Sequence, residues 1–368
     1  MTTRTASLAY DLQEVQSSTT GLWEALRGRR LFITGGTGFF GSWLLESFCH
    51  ANRVLRLEAS AVVLTRDVAS FSAKAPHLAA DPAIRFVTGD VRTFDIGALH
   101  AQGGRDATSL DYVIHAATDA SARLLAEEPL RMLDTVAQGT RSALDLARNG
   151  GASRFLLASS GAVYGVQPAA LAHVSETHAG APDCSSPAAA YAEGKRIAET
   201  MCACVQHDGG PAALIARCFA FVGPYLPLDA HFAIGNFIRD ALLGRPIRVG
   251  GDGTAVRSYL YASDLATWLW TILLRGRSGR PYNVGSPEAV SIAELAMTVS
   301  RVLGGTSPVA IAATAIPGAP AHRYVPDVRR AEAELGLVPR VSLDDGIRRT
   351  ASWYRDQLHG APTAGTRD

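Results

Sequence analysis

The chain has 368 residues, enough for two lobes around one cleft and for a large buried core. Its net charge is +1, with no long basic or acidic block, which argues against nucleic acid as the main partner. No run approaches the roughly 20 apolar residues that cross a bilayer, so we expect no membrane partner.

Residues 1–29 precede the first apolar strand and are interpreted as an N-terminal extension. The polar residues 1–20 lack the apolar segment of a secretion signal, which favours a cytoplasmic protein. Within this extension, residues 22–26 predict a short helix that packs on the body of the protein.

A pattern of short apolar runs and longer helical stretches begins at Leu31. The predicted strands are 31–34, 61–65, 84–88, 112–115, 155–159 and 213–216, and the predicted helices between them include 129–148 and 188–206. Strands that alternate with helices indicate an α/β protein with a parallel sheet covered on both faces. The carboxyl ends of such strands meet at one edge of the sheet, where ligands bind.

The alternation weakens after Phe219, where proline and glycine interrupt it. We interpret residues 220–358 as a smaller second lobe, with segments that return to the first lobe of residues 30–219. Residues 359–368 are expected to be a loose tail.

A glycine-rich turn follows the first predicted strand. Its sequence is Gly35-Gly36-Thr37-Gly38-Phe39-Phe40-Gly41, and a helical pattern follows it. A strand, a glycine turn and a helix in this order are typical of dinucleotide binding, because the helix N-terminus offers free N–H groups to the phosphates. The alternative is a structural glycine turn in another α/β protein.

Tyr191 and Lys195 lie four residues apart in a predicted helix, which places both side chains on one face. Ser160 lies just past the predicted strand 155–159. A free tyrosine has a pKa near 10, and lowering it to roughly 7 takes about 4 kcal/mol. One positive charge at ~4 Å supplies about that much at an effective dielectric of ~20. Lys195 is one such charge, and an oxidised nicotinamide is another. We predict a proton-transfer set; the alternative is an ordinary pair on a helix surface.

The five cysteines are Cys49, Cys184, Cys202, Cys204 and Cys218. Cys202 and Cys204 lie two apart in a predicted helix and face different directions. We expect buried small apolar residues in a cytoplasmic protein, with neither a disulfide nor a metal site.

With these motifs the sequence resembles the extended branch of the short-chain dehydrogenase/reductase superfamily, in its nucleotide-sugar epimerase and dehydratase group. The resemblance runs from about Arg30 to Tyr354. It rests on GGTGFFG (35–41), GDV (89–91), HAAT (115–118), SSGAVYG (159–165), YAEGK (191–195), RCFAFVGP (217–224), GDGTAVRSYLYASDLA (251–266) and YNVGS (282–286).

The resemblance implies a Rossmann-type doubly wound parallel sheet with a smaller C-terminal substrate-binding lobe, and a tightly held nicotinamide cofactor. It implies Ser160, Tyr191 and Lys195 as the catalytic set. The implied cofactor-binding residues are Gly35, Gly38, Phe39, Phe40, Gly41, Arg66, Asp90, Val91, Ala116, Ala117, Tyr191 and Lys195.

The implied substrate is a nucleotide-diphosphate sugar. Arg257 matches the arginine that binds the substrate diphosphate, and guanidinium reads phosphate oxygens bidentately; the alternative is a surface ion pair. Asn236 is an expected nucleotide-side contact. Asp119, Ser121 and Ser160 are expected to line the sugar pocket, although Asp119 and Ser121 fit an ordinary helix cap equally well.

The implied reaction is transient oxidation of a sugar hydroxyl, with Tyr191 removing the proton. Sugar dehydratases of the family carry two acids where this chain has Gly161 and Ala162, and the decarboxylases keep a glutamate at the second position. We therefore expect a C4 epimerase. A 4-ketoreductase, a dehydratase or a decarboxylase remains the alternative, and an NAD(P)-sensing protein without turnover is the third.

The cofactor is expected to be NAD. Asp67 suits the ribose hydroxyls of NAD, whereas Arg66 suits the 2′-phosphate of NADP, which remains possible on these residues. The family often pairs through two helices per subunit, so the resemblance also implies a homodimer.

Overall fold

The structure is a computed structural model that describes residues 3–103, 109–118, 121–230 and 232–360. Its strands are β1 (Arg30–Thr34), β2 (Ser60–Thr65), β3 (Ile84–Thr88), β4 (Tyr112–His115), β5 (Arg154–Ser160), β6 (Ala212–Cys218), β7 (Phe221–Val222), β8 (Ile247–Val249), β9 (Val256–Arg257), β10 (Leu260–Tyr261), β11 (Pro281–Val284), β12 (Val290–Ser291), β13 (Val309–Ile311) and β14 (Arg323–Tyr324).

The helices are α1 (Thr3–Ser18), α2 (Phe39–Leu55), α3 (Val68–Lys74), α4 (Pro76–Ala79), α5 (Ile96–Gly103), α6 (Ala122–Glu127), α7 (Pro129–Asn149), α8 (Ala190–His207), α9 (Ala233–Leu242), α10 (Ala262–Arg275), α11 (Ile292–Val302), α12 (Arg329–Leu335) and α13 (Leu343–Gly360). None of those that the structure describes is both long enough and apolar enough to cross a membrane.

A parallel sheet of seven strands forms the centre of the protein. Its order is β11-β6-β5-β4-β1-β2-β3, and Ile33 of β1 pairs with Val63 on one side and Ile114 on the other. This order around β1 is that of a doubly wound dinucleotide-binding fold. The predicted fold class is confirmed, and the six predicted strands lie within two residues of their expected bounds.

Side chains from the two faces of the sheet enter two separate apolar cores. Leu31 and Ile33 pack with residues of α2 and α10, whereas Phe32 packs with residues of α7 and α8. Successive side chains of a strand point to opposite faces, so β1 contributes to both cores. Burial on both faces explains the continuous apolar runs of these strands.

Helix α1 lies within the predicted extension and was missed from the sequence. Leu8, Leu12 and Val15 lie on one face of it and are buried, a spacing that is typical of an amphipathic helix. The helix packs against α10 and α13, and buried Asp11 accepts a hydrogen bond from the Tyr261 hydroxyl. The predicted short helix is confirmed at Trp23–Leu26.

The chain after β6 builds the smaller sheets and returns to the large one. β9 lies between β12 and β14, β7 pairs with β10, and β8 pairs with β13. β11 adds a parallel strand beside β6. β11 was not predicted, because it is only four residues long and contains a buried asparagine, Asn283. Residues 361–368 of the expected loose tail lie outside the described residues.

Candidate active site

The glycine turn lies where β1 ends and α2 begins. Gly35 has φ +72°, and a Cβ atom there would lie 2.5 Å from the backbone of Ala116. A Cβ atom on Gly41 would collide with the backbone of Gly35 and Gly36. Gly38 precedes the first residue of α2, so the free N–H groups of this helix begin at the turn. The turn therefore holds three backbone segments closer together than side chains allow.

This turn forms one wall of a cavity of about 340 Å³. The predicted cofactor-binding residues that line it are Gly35, Gly38, Arg66, Asp90, Val91, Ala116 and Ala117. Phe39 and Phe40 form the first turn of α2 beside it, and the Phe40 ring packs edge-on against Phe221 at 5.0 Å. Sequence reasoning missed other lining residues, among them Thr37, Lys74 and Arg131, which come from separate elements.

Charged side chains lie on the far wall of this cavity. Arg92 donates to both carboxylate oxygens of Asp90, and these hydrogen bonds lower the pKa of Asp90 to about 2. Asp67 caps helix α3 by accepting from the Ser70 N–H at 2.9 Å. Both Arg66 and Asp67 line the cavity, so each stands where the sequence placed it.

Lys195 lies in α8 and is 2% exposed. Its Nζ donates to the Thr118 hydroxyl and to the Ala158 carbonyl oxygen, each at 2.7 Å. Burial lowers the pKa of Lys195 to about 8. Thr118 was missed as a functional residue, although it closes the HAAT motif. Two fixed acceptors thus hold this ammonium between β5 and the cavity.

Tyr191 lies in the first turn of the same helix, with the Lys195 Nζ 5.9 Å from its ring centre. Burial raises the pKa of Tyr191 above its ordinary value, and the nearby Ser160 hydroxyl partly opposes this rise. In the protein on its own the net shift of this pKa is therefore upward, opposite to the predicted lowering, because burial disfavours the charged phenolate.

Tyr324 is a second tyrosine at Ser160 that the sequence analysis missed. Its Oη lies 3.3 Å from the Ser160 Oγ, and it also donates to the Cys218 carbonyl oxygen at 3.3 Å. Pairing of β14 with β9 sets Tyr324 opposite Arg257. No local signal marks this tyrosine, since it lies 164 positions from Ser160 in the chain.

The segment after Ser160 carries no acid. Gly161–Tyr164 forms a short 3-10 helix, which Ser160 caps by accepting from the Ala162 N–H at 3.1 Å. A Cβ atom on Gly161 would lie 2.8 Å from the Tyr324 Oη and 2.6 Å from the Phe219 ring. The rings of Phe219 and Tyr324 therefore occupy the space that a side chain at position 161 would need.

The predicted substrate residues have different surroundings. Arg257 donates to the carbonyl oxygens of Val256 and His322, and no carboxylate in the described ranges pairs with it, so the alternative of an ion pair is not formed there. The Asn236 side chain accepts from Arg239 at 3.2 Å. Ser121 caps α6 by accepting from the Leu124 N–H, as the helix-cap alternative predicts. Asp119 lies outside the described residues.

An ion pair lies behind β5. Arg217 binds Glu199 through two nitrogen atoms, at 2.6 Å from its Nη2, and Glu199 also accepts from the Ser159 hydroxyl at 2.6 Å. Arg217 reaches the Tyr164 hydroxyl at 2.9 Å as well. This network connects the strand end that carries Ser160 to α8 and β6.

The cysteines form no disulfide in the described structure. Cys49, Cys202 and Cys218 are buried, as expected, but Cys184 and Cys204 are exposed. The expectation of burial is wrong for Cys204 because it lies on the opposite side of α8 from Cys202. Within the described ranges, no three His, Cys, Asp or Glu side chains are grouped to hold a metal ion.

The fold and the site define a dinucleotide-binding α/β protein with a serine, a tyrosine and a lysine beside its cofactor cavity. The profile of the NAD dependent epimerase/dehydratase family matches residues 31–285, and the chain belongs to this family. It is therefore an enzyme, and its cofactor is NAD.

Curated relatives include UDP-glucuronic acid decarboxylases. That of Xenopus tropicalis is 30% identical over 334 residues, covering 90% of this chain and 73% of the relative. UDP-glucuronic acid decarboxylase 6 of Arabidopsis thaliana is 30% identical over 339 residues, covering 90% of each chain.

Solved structures also resemble this chain. The dTDP-glucose 4,6-dehydratase DesIV of Streptomyces venezuelae, crystallised with NAD, is 28% identical with a TM-score of 0.75, covering 90% of this chain and 98% of its own. The UDP-glucose 4-epimerase of Thermotoga maritima has a TM-score of 0.74 at 22% identity, covering 89% of this chain and 99% of its own, which shows the shared fold.

Proposed function

We propose that the enzyme oxidises a hydroxyl of a nucleotide-diphosphate sugar transiently and releases the C4 epimer. One observation carries this proposal. The chain has Ser160, Tyr191 and Lys195 as a proton-transfer set, but the side chains at positions 161 and 162 cannot transfer a proton. Residues 30–219 hold the cofactor in this proposal, and residues 220–358 mainly hold the nucleotide sugar.

The glycine cradle fits a dinucleotide. Gly35 and Gly41 leave no room for a Cβ atom, and the free N–H groups at the start of α2 suit a pyrophosphate. Asp90, Val91, Ala116 and Ala117 line the same cavity and would hold the remainder of NAD. When bound, NAD supplies the redox chemistry, because its nicotinamide ring accepts a hydride from carbon and returns it.

Tyr191 takes the proton of the sugar hydroxyl, and Ser160 hydrogen-bonds the same oxygen. Burial raises the pKa of Tyr191, so its ionisation depends on positive charge nearby. Lys195 supplies such a charge, because its pKa of about 8 keeps it mostly protonated at neutral pH. Its bonds to Thr118 and the Ala158 carbonyl oxygen keep the ammonium in place.

The residues after Ser160 favour epimerisation over the related reactions. Elimination of water needs a group that delivers a proton to the leaving hydroxyl, and neither Gly161 nor Ala162 has one. Epimerisation needs the same base twice, once to remove the proton and once to return it. Decarboxylation is the second candidate, because the curated relatives described above are UDP-glucuronic acid decarboxylases.

Two arginines favour a diphosphate on the substrate. Arg257 has no carboxylate partner among the described residues, and a guanidinium binds phosphate oxygens bidentately. Arg323 lies on the neighbouring strand β14, and its buried Nε has no hydrogen-bond partner in the described structure. A buried N–H donor without a partner lowers the stability of the fold. A phosphate oxygen that accepted a hydrogen bond from the Arg323 Nε would remove this cost.

The test is to incubate the NAD-loaded enzyme with a panel of nucleotide sugars without added NADH, and to analyse the products by mass spectrometry and NMR. A product of unchanged mass with inverted C4 supports the proposal. Loss of carbon dioxide would establish the decarboxylase instead, and loss of water the dehydratase. A reaction that requires stoichiometric NADPH would identify a ketoreductase.

Tyr191→Phe is the matched control for this experiment, since it removes only the phenolic hydroxyl. The variant should bind NAD but form no product. Turnover retained by this variant would remove Tyr191 from the role of base. A wild-type protein that binds NAD and converts no nucleotide sugar would instead favour the NAD-sensing alternative.

The proposed enzyme is a homodimer paired through two helices of each subunit, as the family resemblance implies. Sedimentation of the purified protein measures this directly. A monomeric mass at micromolar concentration would contradict it.

A further inference from the structure

The role of the Tyr324 hydroxyl follows from the hydrogen-bonding capacity of Ser160. A serine hydroxyl has one proton to donate and two lone pairs that accept. The Ser160 Oγ already accepts from the Ala162 N–H at 3.1 Å. Its proton must point at the sugar oxygen for Ser160 to bond that oxygen as a donor, which leaves one lone pair without a donor.

The Tyr324 Oη is the donor placed to fill that lone pair. It lies 3.3 Å from the Ser160 Oγ and 3.3 Å from the Cys218 carbonyl oxygen. Its single proton can go to either acceptor. When it goes to Cys218, Ser160 is left to donate to Tyr324. When it goes to Ser160, the serine proton is free for the substrate.

The surroundings fix the phenol in this place. Its ring lies 4.6 Å from the Phe219 ring, and β14 pairs with β9 in register, Tyr324 opposite Arg257. Burial raises the pKa of Tyr324, which keeps the phenol protonated and able to donate. A ring that is carried by a paired strand and packed against Phe219 has little freedom to leave Ser160.

Gly161 is the second part of the same arrangement. The Cβ of any other residue would lie 2.8 Å from the Tyr324 Oη and 2.6 Å from the Phe219 Cζ, so both rings would have to move. Gly161 has no positive φ, so alanine there introduces no backbone strain of its own. Glycine is thus required at 161 for the close approach of Tyr324 to Ser160.

We propose that Tyr324 is a positioning residue that directs the Ser160 proton toward the sugar oxygen, and that Gly161 provides the space for it. This inference rests on the proposed role of Ser160 at the reacting oxygen. It holds for the epimerase, the dehydratase and the decarboxylase alike, because each begins with oxidation of a sugar hydroxyl.

The experiment compares Tyr324→Phe with the wild type. Loss of one neutral hydrogen bond at the reacting centre should lower kcat about 10-fold and leave the KM of the nucleotide sugar within about twofold. The matched control is Tyr259→Phe, the same change in the same lobe at a tyrosine that forms no hydrogen bond with Ser160 in the described structure. Gly161→Ala should reproduce the loss by displacing the ring.

A double-mutant cycle separates positioning from general damage to the site. If Tyr324 acts through Ser160, the Ser160→Ala and Tyr324→Phe double variant is no slower than Ser160→Ala alone. Additive losses would overturn the proposal, as would a Tyr324→Phe variant with wild-type kcat, or one whose loss appears only in KM.

A second readout needs no turnover and separates this proposal from the proposed function. Carbon-13 NMR of labelled tyrosine reports the Tyr191 ring, assigned from the spectrum of Tyr191→Phe. Because the Ser160 hydroxyl influences the pKa of Tyr191, the Tyr191 Cζ resonance should move in Tyr324→Phe and in Ser160→Ala, and stay in Tyr259→Phe. An unmoved resonance in Tyr324→Phe would overturn the positioning role even if no nucleotide sugar is converted.

Discussion

Glu199→Gln removes the charge partner of Arg217 behind the catalytic strand while keeping the shape of the side chain. The side chains of the pair are only 12% and 15% exposed, and their shortest N–O distance is 2.6 Å. Breaking a buried pair by neutralising one partner costs about 3–5 kcal/mol, because the other charge stays buried without compensation. Arg217 keeps its bond to the Tyr164 hydroxyl, so we expect the lower end, about 3 kcal/mol.

This loss of unfolding free energy can be expressed as a decrease in the melting temperature, Tm. Unfolding entropy is about 2.1 cal/mol/K per residue, or roughly 0.8 kcal/mol/K for a chain of 368 residues. A loss of about 3 kcal/mol should therefore lower Tm by about 4 °C. Calorimetry measures Tm, and urea unfolding followed by circular dichroism measures the free energy.

The matched control is Asp145→Asn, which neutralises the partner of Arg141 in an exposed pair on α7, with side chains 45% and 65% exposed. Exposed pairs contribute at most about 1 kcal/mol, so this control should change little. Equal effects of Glu199→Gln and Asp145→Asn would refute the assigned burial cost. Replacing both Glu199 and Arg217 by methionine should recover most of the lost stability, because no charge then remains buried.

Three further changes test the cofactor cradle, the diphosphate site and the pH dependence. Gly35→Ala should weaken NAD binding at least about 10-fold by calorimetry, because the added Cβ meets the Ala116 backbone, whereas Gly21→Ala has equally positive φ but open space around it and should leave NAD affinity unchanged. Arg257→Ala should raise the KM of the nucleotide sugar about 10- to 100-fold without changing NAD affinity, and the reverse pattern would reassign this arginine. Burial raises the pKa of Asp264 to about 6 from an ordinary 3.8, so its contribution to folding is fully present below pH 3.8 and is lost as pH rises through 6. Asp264→Asn should thus gain up to about 3 kcal/mol relative to the wild type between pH 4 and pH 7 in urea unfolding, and a constant difference would contradict the shift.

The local parts of the site were predictable from the sequence. The six core strands are continuous apolar runs because both faces of the sheet are covered, and their alternation with helices indicates a parallel sheet, whereas the doubly wound order was implied by the family resemblance. The glycine turn was predictable because strand, turn and helix are consecutive in the chain. Tyr191 and Lys195 share a helix, so their common face follows from the helical repeat alone. The assignment of catalytic roles to them remains a prediction.

The missed residues are those whose function depends on distant chain segments. Thr118 meets Lys195 across 77 positions, and Tyr324 meets Ser160 across 164. Helix α1 had a readable apolar face at Leu8, Leu12 and Val15, but its neighbours α10 and α13 lie far along the chain. The periodicity of apolar residues shows which face of a helix or strand is apolar. It does not show which other helix or strand packs against that face.

The sequence by itself determined where the six predicted strands lie along the chain, the glycine cradle and the helix that carries Tyr191 and Lys195, because each depends on residues close together in the chain. Only the tertiary structure decided the surroundings of the Tyr191 phenol. Burial raises its pKa, the Lys195 ammonium is bound to Thr118 and the Ala158 carbonyl oxygen, and Tyr324 reaches Ser160 from β14. Desolvation and hydrogen-bond partners arise when distant segments pack together, so they have no signature in the local pattern.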